Sequence, residues 1–200
     1  MGEAIDRGRR QLLTAATTLT GAVGVAFAAV PFLASWKPSA RAKALGAPVE
    51  IDISKLEPGA MLKIEWRGKP VLIVRRTPEM VGRLDGDDGH LADPASEQSR
   101  QPDYARNAAR AVNPEYLVVL GVCTHLGCLP QNRFNAGASA DGLLQADWPG
   151  GFFCPCHGSK FDLSGRVFRG VPAPTNLEVP PYAFADSGHI VIGVDQAGNA

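Results

Sequence analysis

Two stretches decide the fold of this chain: Cys123-Thr124-His125-Leu126-Gly127-Cys128 and Cys154-Pro155-Cys156-His157-Gly158-Ser159. Each supplies two cysteines and one histidine within six residues, so each is expected to form a tight loop that presents its ligands from one side. Gly127, Pro155 and Gly158 suit such loops, because glycine permits positive φ and close backbone approach and proline fixes φ. All four cysteines lie in these two stretches, which indicates a bound cofactor rather than scattered disulfides.

Around these stretches the sequence is typical of a loop-rich β protein, with 22 glycines and 16 prolines. Alternating polarity predicts a half-buried strand over residues 49–53. Residues 61–66 and 70–76 flank a short turn, as in a hairpin. Residues 116–122 are a continuous apolar run, expected to be a strand buried on both faces. We also predict a helix over 103–111 and further short strands at 143–146, 151–153, 177–179 and 189–194.

Length and charge restrict the possible functions. Two hundred residues suit one ordinary domain with an appendage. The 20 basic residues balance the 20 acidic residues, so the net charge is zero. Nucleic-acid binders usually carry a basic face. We therefore expect no nucleic acid among the partners of this chain.

The N-terminal segment has the features of a membrane anchor. Arg9 and Arg10 precede an apolar stretch over residues 12–36, which at about 1.5 Å per residue is long enough to cross a hydrocarbon core of roughly 30 Å. A twin arginine before a mildly apolar run resembles a Tat export signal, which moves folded proteins. The alternative is a removable signal peptide cleaved near Ala42-Lys43-Ala44. Residues 1–11 are expected in the cytoplasm.

The remainder divides into a connector and a head domain. Residues 37–48 have little to bury and are predicted to be a flexible tether. The head domain is expected over residues 49–200, with its cluster-binding part at about 120–175. Residues 77–113 are polar and are expected to be an excursion from the β framework, without an assigned function.

The two stretches match the C-T-H-x-G-C and C-P-C-H-G-S signatures of the Rieske iron–sulfur family. Arg67-Gly68-Lys69-Pro70 and Gly170-Val171-Pro172-Ala173-Pro174 resemble the quinol–cytochrome c reductase branch of that family. The resemblance spans nearly the whole chain. It implies a mostly β fold, in which a Rieske-type antiparallel β-sandwich head with an inserted cluster-binding subdomain follows one N-terminal transmembrane helix.

The resemblance also implies one 2Fe–2S cluster. Two thiolates would bind one iron and two imidazoles the other, carried over by position as Cys123 and Cys154, then His125 and His157. Cys128 and Cys156 match the family's disulfide between the loops, which needs an oxidising compartment. Rieske centres as a class have reduction potentials between about −150 and +300 mV, against about −400 mV for plant-type ferredoxins, because neutral imidazoles replace two thiolates.

Two alternatives for the cysteines remain open at this point. Cysteine and histidine in pairs also bind structural Zn²⁺. Zinc ligands are usually spaced by two to four residues, so the single residue between Cys123 and His125 fits zinc poorly. The other alternative makes the four cysteines two plain disulfides and the histidines bystanders.

By resemblance, the chain would be the iron–sulfur subunit of a dimeric quinol–cytochrome c reductase in the bacterial inner membrane, with its head in the periplasm. It would accept one electron, coupled to a proton, from ubiquinol at cytochrome b and pass it to a membrane-anchored c-type cytochrome. His157 would be the ligand that meets the quinol. Leu126 and Gly127 would form an apolar docking tip, although ordinary core packing is the alternative for Leu126.

The resemblance also implies roles for three more residues around the cluster. Pro172 would shield the cluster from water, and Ser159 matches a serine whose hydroxyl donates to a cluster sulfur. Phe161 stands where the family often has a tyrosine that donates to a cysteine ligand, so one donor is lost here. The alternative function is the small Rieske subunit of a periplasmic molybdenum enzyme of the arsenite oxidase type, which would need no quinol-docking tip.

Overall fold

The computed structural model describes residues 6–86 and 88–196. The predicted cytoplasmic segment 1–11 therefore begins outside the described residues, and the predicted head 49–200 ends outside them. Residue 87, within the excursion, also lies outside the described residues. The chain divides into two compact units, one ending at Ala44 and the other starting at Leu45.

The first unit contains the helix α1 (Arg7–Ala34). The Asp6 carboxylate caps it by accepting hydrogen bonds from the backbone N–H groups of Gly8 and Arg9. By length and composition, α1 is able to cross a membrane. Its polar groups suit a lipid environment, because four hydroxyls donate to carbonyls one turn back. These belong to Thr14, Thr17, Thr18 and Thr20. A short helix α2 (Ala40–Leu45) follows within the segment predicted to be a tether.

Within the described residues, nine strands form three antiparallel sheets of three strands each. The first sheet has the order β1-β9-β8, the second β2-β3-β4 and the third β5-β6-β7. In chain order the strands are β1 (Val49–Asp52), β2 (Met61–Trp66), β3 (Lys69–Arg75), β4 (Tyr116–Leu120), β5 (Gln131–Arg133), β6 (Gly151–Phe153), β7 (Lys160–Phe161), β8 (Tyr182–Phe184) and β9 (His189–Ile192). This arrangement confirms the mostly β fold.

The second sheet forms much of the core and supports the first loop. The hairpin predicted from the sequence joins β2 and β3 through Arg67 and Gly68, whose φ angles are 52° and 71°. Positive φ at both central residues is typical of the type I′ turn that matches strand twist. Strand β4 pairs with β3 and is buried along its whole length, as its apolar run predicts. The first cysteine stretch begins three residues after β4 ends.

Three sequence predictions were wrong. Residues 143–146 form turns rather than a strand, and Leu144 packs with Trp148 and Phe153 in a small separate cluster. Residues 177–179 form no strand, because their backbone groups bond to several segments, including Leu120 and Arg100, instead of one partner strand. The predicted helix over 103–111 is reduced to one 3₁₀ turn, Asp103–Ala105.

The excursion 77–113 begins with the short helix α3 (Pro78–Gly82), which Thr77 caps through a hydrogen bond from the backbone N–H of Met80. Short 3₁₀ turns and irregular backbone follow. Although the segment is polar, it is attached to the β framework. Leu91 forms an isolated bridge with Phe168, in the stretch that follows β7.

Candidate metal centre

The two cysteine stretches fold into loops with the same internal hydrogen bonds. In the first loop, the Cys123 N–H donates to the Cys128 carbonyl, and the Gly127 N–H donates back to the Cys123 carbonyl. In the second loop, which joins β6 to β7, the N–H of Cys154 donates to the carbonyl of Ser159. The N–H of Gly158 donates back to the Cys154 carbonyl. The φ angles of Gly127 and Gly158 are 83° and 78°, so both positions require glycine.

A disulfide joins the loops. It links Cys128 to Cys156, which lie 28 residues apart in sequence, with their Cα atoms 6.6 Å apart. This is the pairing that the family resemblance implies. The interpretation of the four cysteines as two plain disulfides is wrong, since Cys123 and Cys154 are free thiols.

The structure brings the four proposed ligands to the facing sides of the two loops. Cys123 and Cys154 are each only 2% exposed. The rings of His125 and His157 meet edge to face, with their centroids 4.8 Å apart. His157 is exposed and His125 is partly buried, so the two thiols lie inside the domain and the two imidazoles lie towards its surface.

The chemistry of these donors fits a metal cluster. Burial raises the pKa of the Cys123 thiol, and neighbouring Cys154 raises it further. Hydrogen bonds from the His125 backbone and the Ser159 side chain oppose this rise. His125 Nδ1 is buried and has no hydrogen-bond partner among the described residues. Buried polar atoms in native proteins normally have partners. Two buried thiols and an orphaned imidazole nitrogen are therefore the donors expected where a Rieske cluster binds.

A different trio of sulfur atoms lies close together without being a ligand set. The Sγ atoms of Cys128, Cys154 and Cys156 are all within 4.8 Å of one another. Two of these atoms are bonded to each other in the disulfide. Metals bind thiolates, so only Cys154 of this trio is available to a metal.

The predicted docking residues lie at the surface beside the imidazoles. Leu126 is 71% exposed, so the alternative of core packing is wrong for this residue. Gly127 and Pro172 are exposed as well. A cleft of about 480 Å³ opens on the side of the first loop, and its lining includes His125 and two cations, Lys69 and Arg100.

The segment after the second loop covers both loops through two contacts that the sequence did not reveal. The Ala173 N–H donates to Ser159 Oγ over 3.1 Å. The Thr124 hydroxyl donates to the Thr175 carbonyl over 2.6 Å. Thr124 stands inside the recognised motif, but nothing in a single sequence indicates its partner 51 residues away. Phe161, in β7, is fully buried.

Comparison with known proteins gives matches over almost the whole chain. Residues 3–39 match the family described as ubiquitinol-cytochrome C reductase Fe-S subunit TAT signal. Residues 48–182 match the family described as Rieske [2Fe-2S] domain. The Tat match and the apolar α1 indicate a membrane-anchored subunit.

Similar proteins carry the same description. The ubiquinol-cytochrome c reductase iron-sulfur subunit of Allochromatium vinosum is 55% identical over 97% of this chain and 92% of its own length. The subunit of that name from Blastochloris viridis is 46% identical, with 94% of each chain covered. A solved chain titled Hyperthermophilic respiratory Complex III is 26% identical over 90% of this chain and 98% of its own, with a TM-score of 0.46. Since a cluster-binding family matches the two loops and the relatives match the whole chain, this chain belongs to the Rieske 2Fe–2S proteins, as an iron–sulfur subunit of ubiquinol–cytochrome c reductase.

Proposed function

We propose that Cys123 and Cys154 bind one iron of the 2Fe–2S cluster and that His125 and His157 bind the other. Through this cluster the head would carry one electron from ubiquinol, bound at cytochrome b, to cytochrome c1. The convergence of two buried thiols and two facing imidazoles at a disulfide-linked pair of loops carries the proposal. When bound, the cluster supplies one-electron redox chemistry.

The different burial of the ligands supports separate roles. The cysteines face the domain interior, where the thiolates are kept from water. His157 is exposed, so a quinol hydroxyl is able to approach its ring. The ring nitrogen of His157 that is not bound to iron would hold the proton that leaves the quinol. One electron and one proton would thus leave the quinol at the same contact.

The surface around the imidazoles supports docking against an apolar partner. The Leu126 side chain projects beside the ligands, and such an exposed apolar group is stabilised when a partner covers it. Pro172 would limit the access of water from the other side. The adjoining cleft is lined by the cations Lys69 and Arg100 and by the acidic Glu178, so its one excess positive charge would favour an acidic group on the partner.

The topology of the subunit is part of the proposal. Residues 1–11 would lie in the cytoplasm, 12–36 would form the anchor, 37–48 the flexible tether and 49–200 the periplasmic head of a dimeric complex. The Tat-signal match and a disulfide in the head support this orientation. The mass of the mature chain would show whether the anchor is retained or removed near Ala44.

Electron paramagnetic resonance of the reduced full-length chain tests the ligand assignment. The spectrum should be of the Rieske type, with an average g value below that of clusters bound by four cysteines. His157→Gln and Cys154→Ser should abolish this spectrum, whereas His90→Gln, at an exposed site outside the loops, should leave it unchanged. A preparation with zinc and no acid-labile sulfide would refute the proposal.

Composition of the purified complex tests the partners. Haems of the b and c types should co-purify with the subunit. Molybdopterin in their place would support the arsenite-oxidase-type alternative, which the comparisons do not favour.

A further inference from the structure

Three buried arginine side chains lie where the excursion 77–113 packs against the turn that follows β7. Arg76, Arg110 and Arg166 are each at most 1% exposed. Arg166 forms an ion pair with the fully buried Asp162, with Nε 2.7 Å from Oδ2. Among the described residues, the hydrogen-bond acceptors of Arg76 and Arg110 are all neutral. Each of these two guanidiniums therefore keeps its charge inside the domain without direct contact with a carboxylate.

Arg76, at the end of the second sheet, reaches the turn through Nη1. This nitrogen donates to the carbonyls of Ala109 and Leu163 over 3.0 and 3.2 Å. It also donates to Ser164 Oγ over 2.9 Å. Nη2 of the same guanidinium is buried without a partner among the described residues. On this side, no acceptor among the described residues offsets the positive charge of the guanidinium.

Arg110, in the excursion, forms hydrogen bonds with the same turn at Ser164 and Gly165. Its Nη1 donates to the carbonyls of Ser164 and Gly165 over 3.2 and 3.3 Å. Its Nη2 donates to the Leu177 carbonyl over 2.7 Å. The φ angle of Gly165 is 73°, a left-handed backbone conformation that favours glycine, so the turn that Arg110 contacts depends on glycine.

Both guanidiniums lie near the proposed cluster ligands along the chain. Ser164 follows Ser159 of the second loop by five residues. Leu177 follows Thr175 by two residues, and the Thr175 carbonyl accepts a hydrogen bond from Thr124, the neighbour of Cys123. An extended chain spans at most about 3.6 Å per residue, which places both guanidiniums within roughly 20 Å of the loops. Buried charges at this range are screened much less than exposed charges.

Both arginines remain charged at neutral pH. Burial lowers the pKa of each to about 10, and the Asp162 carboxylate counteracts this effect. A reduced cluster has one more negative charge than an oxidised cluster. A fixed positive charge behind the second loop therefore stabilises the reduced state by Coulomb attraction.

We propose that Arg110 and Arg76 raise the reduction potential of the cluster through the charge that they hold behind the second loop. This gives the excursion a function, since it supplies Arg110 and encloses both guanidiniums. The proposal rests on the ligand assignment above. The two arginines touch no proposed ligand in the described structure, so they act through their electric field and not as catalytic residues.

Paired substitutions separate the charge from the hydrogen bonds. Arg110→Lys keeps the positive charge but loses the planar set of guanidinium hydrogen-bond donors. Arg110→Gln removes the charge and keeps an amide donor. Arg106→Gln is the control, because Arg106 belongs to the same excursion but its side chain is 57% exposed. The midpoint potential of each variant is measured by redox titration of the paramagnetic signal, with the full-length subunit in its complex.

We expect Arg110→Gln to lower the ratio of reduced to oxidised cluster about threefold at a fixed ambient potential, which corresponds to about 28 mV on the scale of 59 mV per tenfold. Arg110→Lys should shift the potential by less than a third of that amount, and Arg106→Gln should leave it unchanged. Arg76→Gln and Arg76→Lys repeat the test from the other side of the turn.

An unchanged potential in Arg110→Gln would overturn the proposal. So would an equal fall in the lysine and glutamine variants, since the hydrogen bonds and not the charge would then matter. Failure of both glutamine variants to retain the cluster would assign the arginines a structural role and also reject the proposal. Absence of the Rieske signal from the unsubstituted chain would instead refute the proposed function.

Discussion

The backbone N–H of Ala173 donates a 3.1 Å hydrogen bond to Ser159 Oγ. This bond connects the segment 170–174, which contains two prolines, to a hydroxyl inside the second loop. Ser159 is fully buried, and its hydroxyl also lowers the pKa of the Cys123 thiol in the first loop. The hydroxyl oxygen accepts from the amide, so its own proton is free to be donated to another acceptor. One serine therefore connects both loops and the segment that covers them.

Ser159→Ala is expected to lower the midpoint potential. A hydrogen bond to sulfur favours the more negative, reduced state, and about 1 kcal/mol of such preference corresponds to about 40 mV for one electron. Redox titration of the paramagnetic signal measures the shift. Ser187→Ala, at an exposed serine, is the control. An unchanged potential in Ser159→Ala would mean that the hydroxyl does not interact with the cluster or its ligands.

Phe161→Tyr is expected to raise the midpoint potential by tens of millivolts, on the scale of about 40 mV for 1 kcal/mol. Phe161 is fully buried in β7, and the added hydroxyl would supply the donor that the family resemblance implies at this position. Phe152→Tyr places a hydroxyl on the buried cross-strand partner and controls for its general effect. Protein-film voltammetry that finds no upward shift specific to Phe161→Tyr would contradict the prediction.

Removal of the disulfide is expected to destabilise the head. For a sequence separation of 28 residues, the loop-entropy estimate gives a loss of about 3.5 kcal/mol in the free energy of unfolding. The double variant Cys128→Ser/Cys156→Ser leaves no stray thiol, and its urea unfolding is compared with that of the unsubstituted chain. Chemical reduction of the unsubstituted chain should have the same effect. Equal unfolding midpoints with and without the disulfide would contradict the expectation.

The contribution of the exposed pair His189–Asp186 to stability should fall as the pH rises. His189 Nδ1 lies 2.9 and 3.0 Å from the two Asp186 carboxylate oxygens. This hydrogen bond raises the pKa of His189 above its ordinary value of 6.5, with smaller effects from Asp52 and Glu50. Because the folded-state pKa is raised, the contribution is complete below pH 6.5 and disappears as the pH passes the folded-state pKa.

Thermal unfolding tests this pH dependence. His189→Gln should lower Tm at acidic pH and have progressively less effect as the pH rises above 6.5. His90→Gln, outside the pair, should show no such trend. A constant difference in Tm between His189→Gln and the unsubstituted chain across this range would contradict the assignment.

The sequence predicted those parts of the fold that have a local pattern. Strand β4 is one apolar run, and the hairpin at Arg67 and Gly68 has a turn between two strand-like segments. The strands β5, β7 and β8 were not predicted, and each has only two or three residues, too few to show a periodicity. The equally short β6 was predicted, so length alone does not explain these misses. Residues 177–179 show the opposite error, since an apolar alternation there reflects burial without a sheet partner.

The site was predicted from its motifs, but its surroundings were not. The family resemblance of the two motifs implied both the ligand candidates and the disulfide partners. The structure confirms the disulfide between Cys128 and Cys156, and the ligand set stays a prediction. The contact between Thr124 and Thr175, and the burial of Arg110, depend on segments that are far apart in sequence. A polar excursion also gives no sign that its arginines point inwards, because arginine is usually a surface residue.

The link between Cys128 and Cys156 has a consequence for the biogenesis of the subunit. Under the proposed topology, the chain folds in the reducing cytoplasm and is then exported by the Tat system, which moves folded proteins. The cluster would then be inserted while all four cysteines are still reduced. The disulfide would then form only after export, and it would stabilise a domain that is already folded.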